Sequence, residues 1–99
     1  MNLGICNKNF IVTGSSKGIG YYIAKSLLEE GANVGLVARN YKELKKKAEY
    51  LKKKFKSEIA YWSIDLKKES NAIKLQESVE YSWGKLDGLI LNVGSGEST

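Results

Sequence analysis

The part of this sequence best suited to chemistry is Thr13-Gly14-Ser15-Ser16-Lys17-Gly18-Ile19-Gly20, placed directly after the apolar run Phe10-Ile11-Val12 and directly before a helical pattern. A strand, a glycine turn and a helix start then fall within eleven residues. Such a junction holds anions, because the N–H groups at a helix N-terminus point outward and carry partial positive charge. Glycine lets the chain turn tightly and lets a phosphate approach the backbone with no Cβ in between. The chemistry implied is the holding of a nucleotide pyrophosphate, with Gly14, Ser15, Ser16, Lys17, Gly18, Ile19 and Gly20 as candidate contacts. The spacing is Gly-x3-Gly-x-Gly rather than Gly-x-Gly-x-x-Gly.

A second candidate lies nineteen residues past Gly20, where the next apolar run ends at Ala38 and Arg39. In a dinucleotide fold this position faces the adenosine ribose. An acid there would accept from the free 2′-hydroxyl and repel a 2′-phosphate. This chain has Ala38 and then Arg39, with Lys17 as a second cation inside the glycine turn. Two cations converging on one ribose favour a 2′-phosphate through charge-assisted hydrogen bonds; the alternative is two solvated surface charges.

The elements that must position these residues follow from pattern. Asn33–Ala38, Glu58 to Ile64 and Asp87 to Leu91 are short, apolar and partly β-branched, as strands are. Helical spacing covers Gly18 to Glu30, Tyr41 to Lys56 and Glu69–Trp83. Gly31 and Gly84 are placed as helix terminators, and Asn40 with Glu43 three residues later resembles a capping box. The order β-α-β-α-β-α-β with near-continuous apolar strands predicts an α/β fold. Its expected form is a doubly wound, Rossmann-type parallel sheet with strand order 3-2-1-4.

Composition narrows the function classes. The chain has 99 residues, 42% apolar and 27% charged, which bounds it to one domain of ordinary globular composition. No run approaches the ~18 apolar residues of a membrane span, so no membrane partner is expected. Residues 1–6 lack the features of a signal peptide. The single Cys6 excludes an internal disulfide and points to the cytoplasm. With no histidine and one cysteine, neither a histidine-based triad nor an ordinary zinc site is available, and no metal site is expected. Net charge is +5, and half of the sixteen basic residues lie between Lys42 and Lys56. Tyr41, Leu44, Ala48, Tyr50, Leu51 and Phe55 mark an apolar side through that stretch at helical spacing. The lysines are therefore read as a solvated helix face, and no nucleic-acid partner is expected.

The string Thr13-Gly-x3-Gly18-Ile19-Gly20 closely resembles the cofactor motif of the short-chain dehydrogenase/reductase family, and the resemblance extends from Lys8 to Gly96. Asp65-Leu66 matches the family's Asp-Leu or Asp-Val at the end of the third strand, which edges the adenine pocket. A strand-end turn residue is the alternative reading. Leu91-Asn92-Val93-Gly94 stands where the family has Asn-Asn-Ala-Gly, a loop along the adenosine ribose that also ties the fourth strand to its neighbours. Leu91 replaces the first Asn, so the tie is not expected from that position. Lys85-Leu86-Asp87 is also typical of the family.

The resemblance implies NADP rather than NAD, because a basic residue before the middle glycine and an Arg after strand two go with that preference. It also implies hydride transfer with a small-molecule carbonyl or alcohol substrate, possible kinship with 3-oxoacyl-carrier-protein reductases, and a homo-oligomeric full-length form. The alternatives are a non-catalytic dinucleotide-binding module and an inactive truncated fragment. Residues 1–99 are expected to be a single nucleotide-binding domain cut short after strand four, with the family's Ser and Tyr-x-x-x-Lys beyond residue 99. Tyr-x-x-x-Lys does occur at Tyr21/Lys25, Tyr41/Lys45, Tyr50/Lys54 and Tyr81/Lys85. None follows a fifth strand, and all four are read as chance pairings.

Overall fold

Among the described residues seven elements alternate: β1 (Asn9–Thr13), α1 (Gly18–Glu29), β2 (Asn33–Ala38), α2 (Tyr41–Lys54), β3 (Ile59–Ser63), α3 (Glu69–Trp83) and β4 (Gly88–Ile90). The computed structural model describes residues 4–66 and 68–92. The strands form one parallel sheet in the order β3-β2-β1-β4, as the pattern predicts.

Successive strand residues face opposite sides of the sheet, and each side has its own core. Val12, Val34, Leu36, Ala38 and Ile59 pack with Ala24 and Leu28 of α1 and with Leu44, Ala48 and Leu51 of α2. Leu44, Ala48 and Leu51 recur at helical spacing and are fully buried. Each leucine contributes about 1.5–3 kcal/mol of burial. On the other side, Ile11 and Val37 pack with Leu75 and Val79 of α3, joined by Trp62, Ile64, Leu66 and Trp83. Trp62 meets Trp83 edge-on, ring centres 6.1 Å apart. Gly35 makes this possible, because a Cβ there would stand 2.5 Å from both Ile11 and the Trp62 ring.

The helix ends follow their signals. Gly31 has φ +91° and follows the C-cap Glu30, whereas Gly84, at φ +80°, is itself the C-cap of α3. Asn40 Oδ1 accepts from the Glu43 N–H at 3.0 Å and caps α2.

Some elements are shorter than their patterns. α1 stops at Glu29, because Glu30 forms its C-cap. α2 stops at Lys54, because Phe55 is extended and packs back onto the core. β3 begins at Ile59 rather than Glu58, and Ile64 lies past its end. β4 keeps only Gly88–Ile90 of the expected run, because Asp87 turns its carboxylate onto β1 and Asn92 turns toward Thr13. Leu89 and Leu91 are 51% and 68% exposed, whereas Ile90 packs against the α1–α2 core.

At the N-terminal rim of the sheet, side-chain amides bond the four strands in series. Asn9 Nδ2 donates to the Lys85 carbonyl (3.0 Å), and Asn33 Nδ2 donates to Asn9 Oδ1 (2.9 Å). The Glu58 N–H then donates to Asn33 Oδ1 (2.9 Å). Asp87 closes the far end: its carboxylate accepts from the Asn9 N–H at 2.8 Å and lies 3.3 Å from Lys85 Nζ. The Asn9 N–H, followed by Lys85, holds the Asp87 carboxyl below its ordinary range.

Candidate functional site

The C-terminal rim gathers the ends of β1, β2, β3 and β4, and with them the predicted residues. The glycine turn has an inner and an outer half. On the inner half Ser15 and Ser16 are buried. The Ser15 N–H donates to the Val37 carbonyl at 3.1 Å, and Ser15 Oγ accepts from the Val37 N–H at 2.9 Å. Both groups hold the turn to β2.

Gly14 has φ +62°, and a Cβ there would stand 2.7 Å from the Asn92 carbonyl oxygen. A Cβ on Gly20 would stand 2.1 Å from the Gly14 carbonyl oxygen and 2.8 Å from Asn92 Nδ2. These two glycines let three backbone segments pack together. The tie to the fourth strand, not expected from Leu91, is made by Asn92. Its N–H donates to Thr13 Oγ1 at 2.9 Å and its Nδ2 to the Gly14 carbonyl at 3.3 Å.

Lys17, Gly18 and Ile19 form the outer half and are exposed. Gly18 has φ +66°, and a Cβ there would meet nothing within 4 Å, so it is needed for its conformation and for the open space beside it. Lys17 is the N-cap of α1 and is extended, and its side chain makes no capping hydrogen bond. The first turn of α1 therefore receives nothing from its cap side chain and keeps outward-pointing donors. An open left-handed glycine beside such a helix start is a cradle that fits a pyrophosphate.

Arg39 is exposed at the bend between β2 and α2. The Ser15–Val37 junction ties the glycine turn to the strand that leads into Arg39. Lys17 is two residues past Ser15 and Arg39 two past Val37, so each Cα lies within about 7 Å of the bonded pair. Asp65 follows β3, where its carbonyl accepts from the Lys68 N–H (3.3 Å) and from Asn71 Nδ2 (3.0 Å), turning the chain into α3. Leu66 packs against the α3-side core. The structure thus brings the turn, Arg39, Asp65, Leu66 and Asn92 to one rim. Val93 and Gly94 lie outside the described residues. Sequence reasoning missed Ser63, whose hydroxyl donates to the Arg39 carbonyl at 2.9 Å. A small polar residue closing an apolar strand was the available signal.

The other motifs lie elsewhere. Tyr21 of α1 has Lys47 4.8 Å from its ring centre, and burial, against the opposing effect of Lys25, pushes its hydroxyl up. A lysine-activated acid would be shifted the other way. Tyr41 packs on Tyr61, and their hydrogen bond raises the Tyr61 hydroxyl. Lys45 and Lys52 of α2 lie over these two rings. Among the described residues no group of metal-ligating side chains occurs, and no helix is long and apolar enough to cross a membrane.

A profile of the short chain dehydrogenase family matches residues 8–99. A 3-oxoacyl-[acyl-carrier-protein] reductase of Chlamydia muridarum is 34% identical over 95% of this chain and 38% of its own length. The L-sorbose reductase of Gluconobacter frateurii, solved with NADPH and L-sorbose, superposes with a TM-score of 0.92 at 38% identity, over 96% of this chain and 36% of that one. An NAD+-bound xylitol dehydrogenase superposes with a TM-score of 0.86 at 30% identity, over 93% of this chain and 35% of that one. The chain thus spans little more than a third of the length of these relatives. With its Gly-x3-Gly-x-Gly turn, 3-2-1-4 sheet and matching profile, the chain belongs to the short-chain dehydrogenase/reductase family of oxidoreductases.

Proposed function

We propose that this chain binds NADPH across the C-terminal rim of its sheet, as the cofactor-holding portion of an enzyme that moves hydride between the nicotinamide and a carbonyl or alcohol. The observation that carries the reading is the glycine turn itself: Gly18 at φ +66° has open space beside it, at a helix start that Lys17 caps without a side-chain bond, and the Ser15–Val37 junction ties that turn to the strand leading into Arg39. When bound, the dinucleotide supplies a two-electron hydride couple. The chain's own residues bind and orient it. The amides of Lys17, Gly18 and Ile19 face the pyrophosphate, and Arg39 and Lys17 face the 2′-phosphate. Asp65 and Leu66 edge the adenine, and Asn92 holds the ribose side of the rim in register with the glycine turn.

The relatives support the reaction class more than any one substrate, since their names span sorbose, an oxoacyl carrier protein and xylitol. None of the four Tyr-x-x-x-Lys pairs here is proposed to activate a carbonyl: Tyr21 lies under Lys47 of α2, and Tyr41 packs on Tyr61. Calorimetric titration with NADPH and NADH tests the reading. Tighter binding of NADPH supports it; equal binding, or none, contradicts it.

A further inference from the structure

We propose that Ser63 is a positioning residue for cofactor choice, acting through the backbone of Arg39. The inference rests on the assignment of Arg39 to the 2′-phosphate.

Arg39 and Asn40 are the whole link between β2 and α2, and three consecutive carbonyls there are fixed by three different partners. The Ala38 carbonyl accepts from the Ile64 N–H at 3.0 Å, which extends the sheet. The Asn40 carbonyl accepts from the Leu44 N–H at 3.0 Å, the first bond of α2. The Arg39 carbonyl lies between them, at the bend, and the Ser63 hydroxyl donates to it at 2.9 Å. Sheet and helix geometry supply the outer two bonds for almost any sequence. The middle one needs a hydroxyl at the last residue of β3.

A two-residue link anchored at each carbonyl fixes the direction in which the Arg39 side chain leaves the backbone. Arginine is long and loses much rotational freedom when it engages a phosphate, so a fixed starting point lowers the ordering needed on binding. Without the hydroxyl, the Arg39–Asn40 peptide can rotate, and the guanidinium meets the 2′-phosphate from a wider range of positions. NADH has no 2′-phosphate and does not sense the change.

The test is a cycle of Ser63→Ala, Arg39→Ala and the double variant, with Ser63→Thr retaining the hydroxyl. Dissociation constants for NADPH and NADH are measured by calorimetry, and a thermal melt reports folding. Ser63→Ala is expected to lower the preference for NADPH about two- to tenfold, the range of one hydrogen bond, with NADH affinity unchanged. Ser63→Thr is expected to restore the preference. In the Arg39→Ala background, Ser63→Ala is expected to change nothing further. An unchanged preference in Ser63→Ala, where Arg39→Ala does lower it, overturns the role of Ser63 and leaves that of Arg39 standing. An equal fall in both backgrounds also overturns it, because Ser63 would then act without Arg39. No change in preference on Arg39→Ala removes the assignment on which the inference rests.

Discussion

The two rims of the sheet use the same four strands for opposite ends. At the N-terminal rim Asn9, Asn33, Glu58, Lys85 and Asp87 bond to one another, so polar groups there are satisfied within the fold. At the C-terminal rim, bonds of the same kind stop one layer short of the surface. Ser15, Thr13, Asn92 and Gly14 tie the strands underneath, while Lys17, Gly18, Ile19 and Arg39 stand exposed above them. One rim closes the sheet, and the other holds the exposed half of the glycine turn and Arg39 above a bonded layer. The difference teaches that a binding rim needs two layers, and that a glycine motif supplies both.

The most damaging way to break this comparison is at Gly20. Gly20→Val places a branched side chain where a Cβ alone would stand 2.1 Å from the Gly14 carbonyl, and is expected to destabilise the fold by at least about 3 kcal/mol. Chemical denaturation measures this. Gly18→Val is expected to act differently: the space is open, so about 1–2 kcal/mol of left-handed strain accompanies a loss of NADPH binding in a chain that still folds. Equal destabilisation by both would erase the distinction between the inner and outer halves of the turn.

Next in size is Arg39→Ala, expected to weaken NADPH by about 1.5–3 kcal/mol, roughly ten- to a hundredfold, with little change for NADH or in the melt. Equal losses for both cofactors would take Arg39 away from the 2′-phosphate. At the opposite rim, Asn33→Ala removes the donor to Asn9 and the acceptor for Glu58. It is expected to cost about 1–2 kcal/mol of stability and to leave cofactor affinity within about twofold. A large loss of binding would mean that the rims are coupled.

The smallest effect is confined to acid. The Asp87 carboxyl is held below its ordinary range chiefly by the Asn9 N–H, so its contribution is complete above about pH 4 and is lost as pH falls through the folded value. Asp87→Asn is expected to flatten the decline of the melting temperature below about pH 4. An unchanged acid limb would show that other carboxylates set it.

The fold and the outer half of the site were legible because local chemistry determines them. Apolar runs mark strands, Gly31 and Asn40 mark helix ends, and a Gly-x3-Gly-x-Gly turn after a strand has few other uses. What stayed illegible depends on pairs distant in sequence. Nothing local says that Ser15 turns inward to Val37, 22 residues away, or that Asn9 bonds Lys85, 76 away. Asn92 was legible only as part of a motif whose neighbouring Leu91 departs from the pattern, and its bond to Thr13 spans 79 residues. Ser63 escaped for the same reason, since its hydroxyl serves a carbonyl on another strand.

The central claim is that a dinucleotide meets one rim and not the other, and amide chemical shifts during a titration test it most directly. With NADPH added to the 15N-labelled protein, the amides of Lys17, Gly18, Ile19, Gly20, Arg39 and Asn92 are expected to move in a saturable way. Those of Asn9, Asn33, Glu58 and Asp87 are expected to stay in place. Shifts concentrated at Asn9, Asn33 and Asp87, or a glycine turn that does not respond at saturating NADPH, would contradict the account.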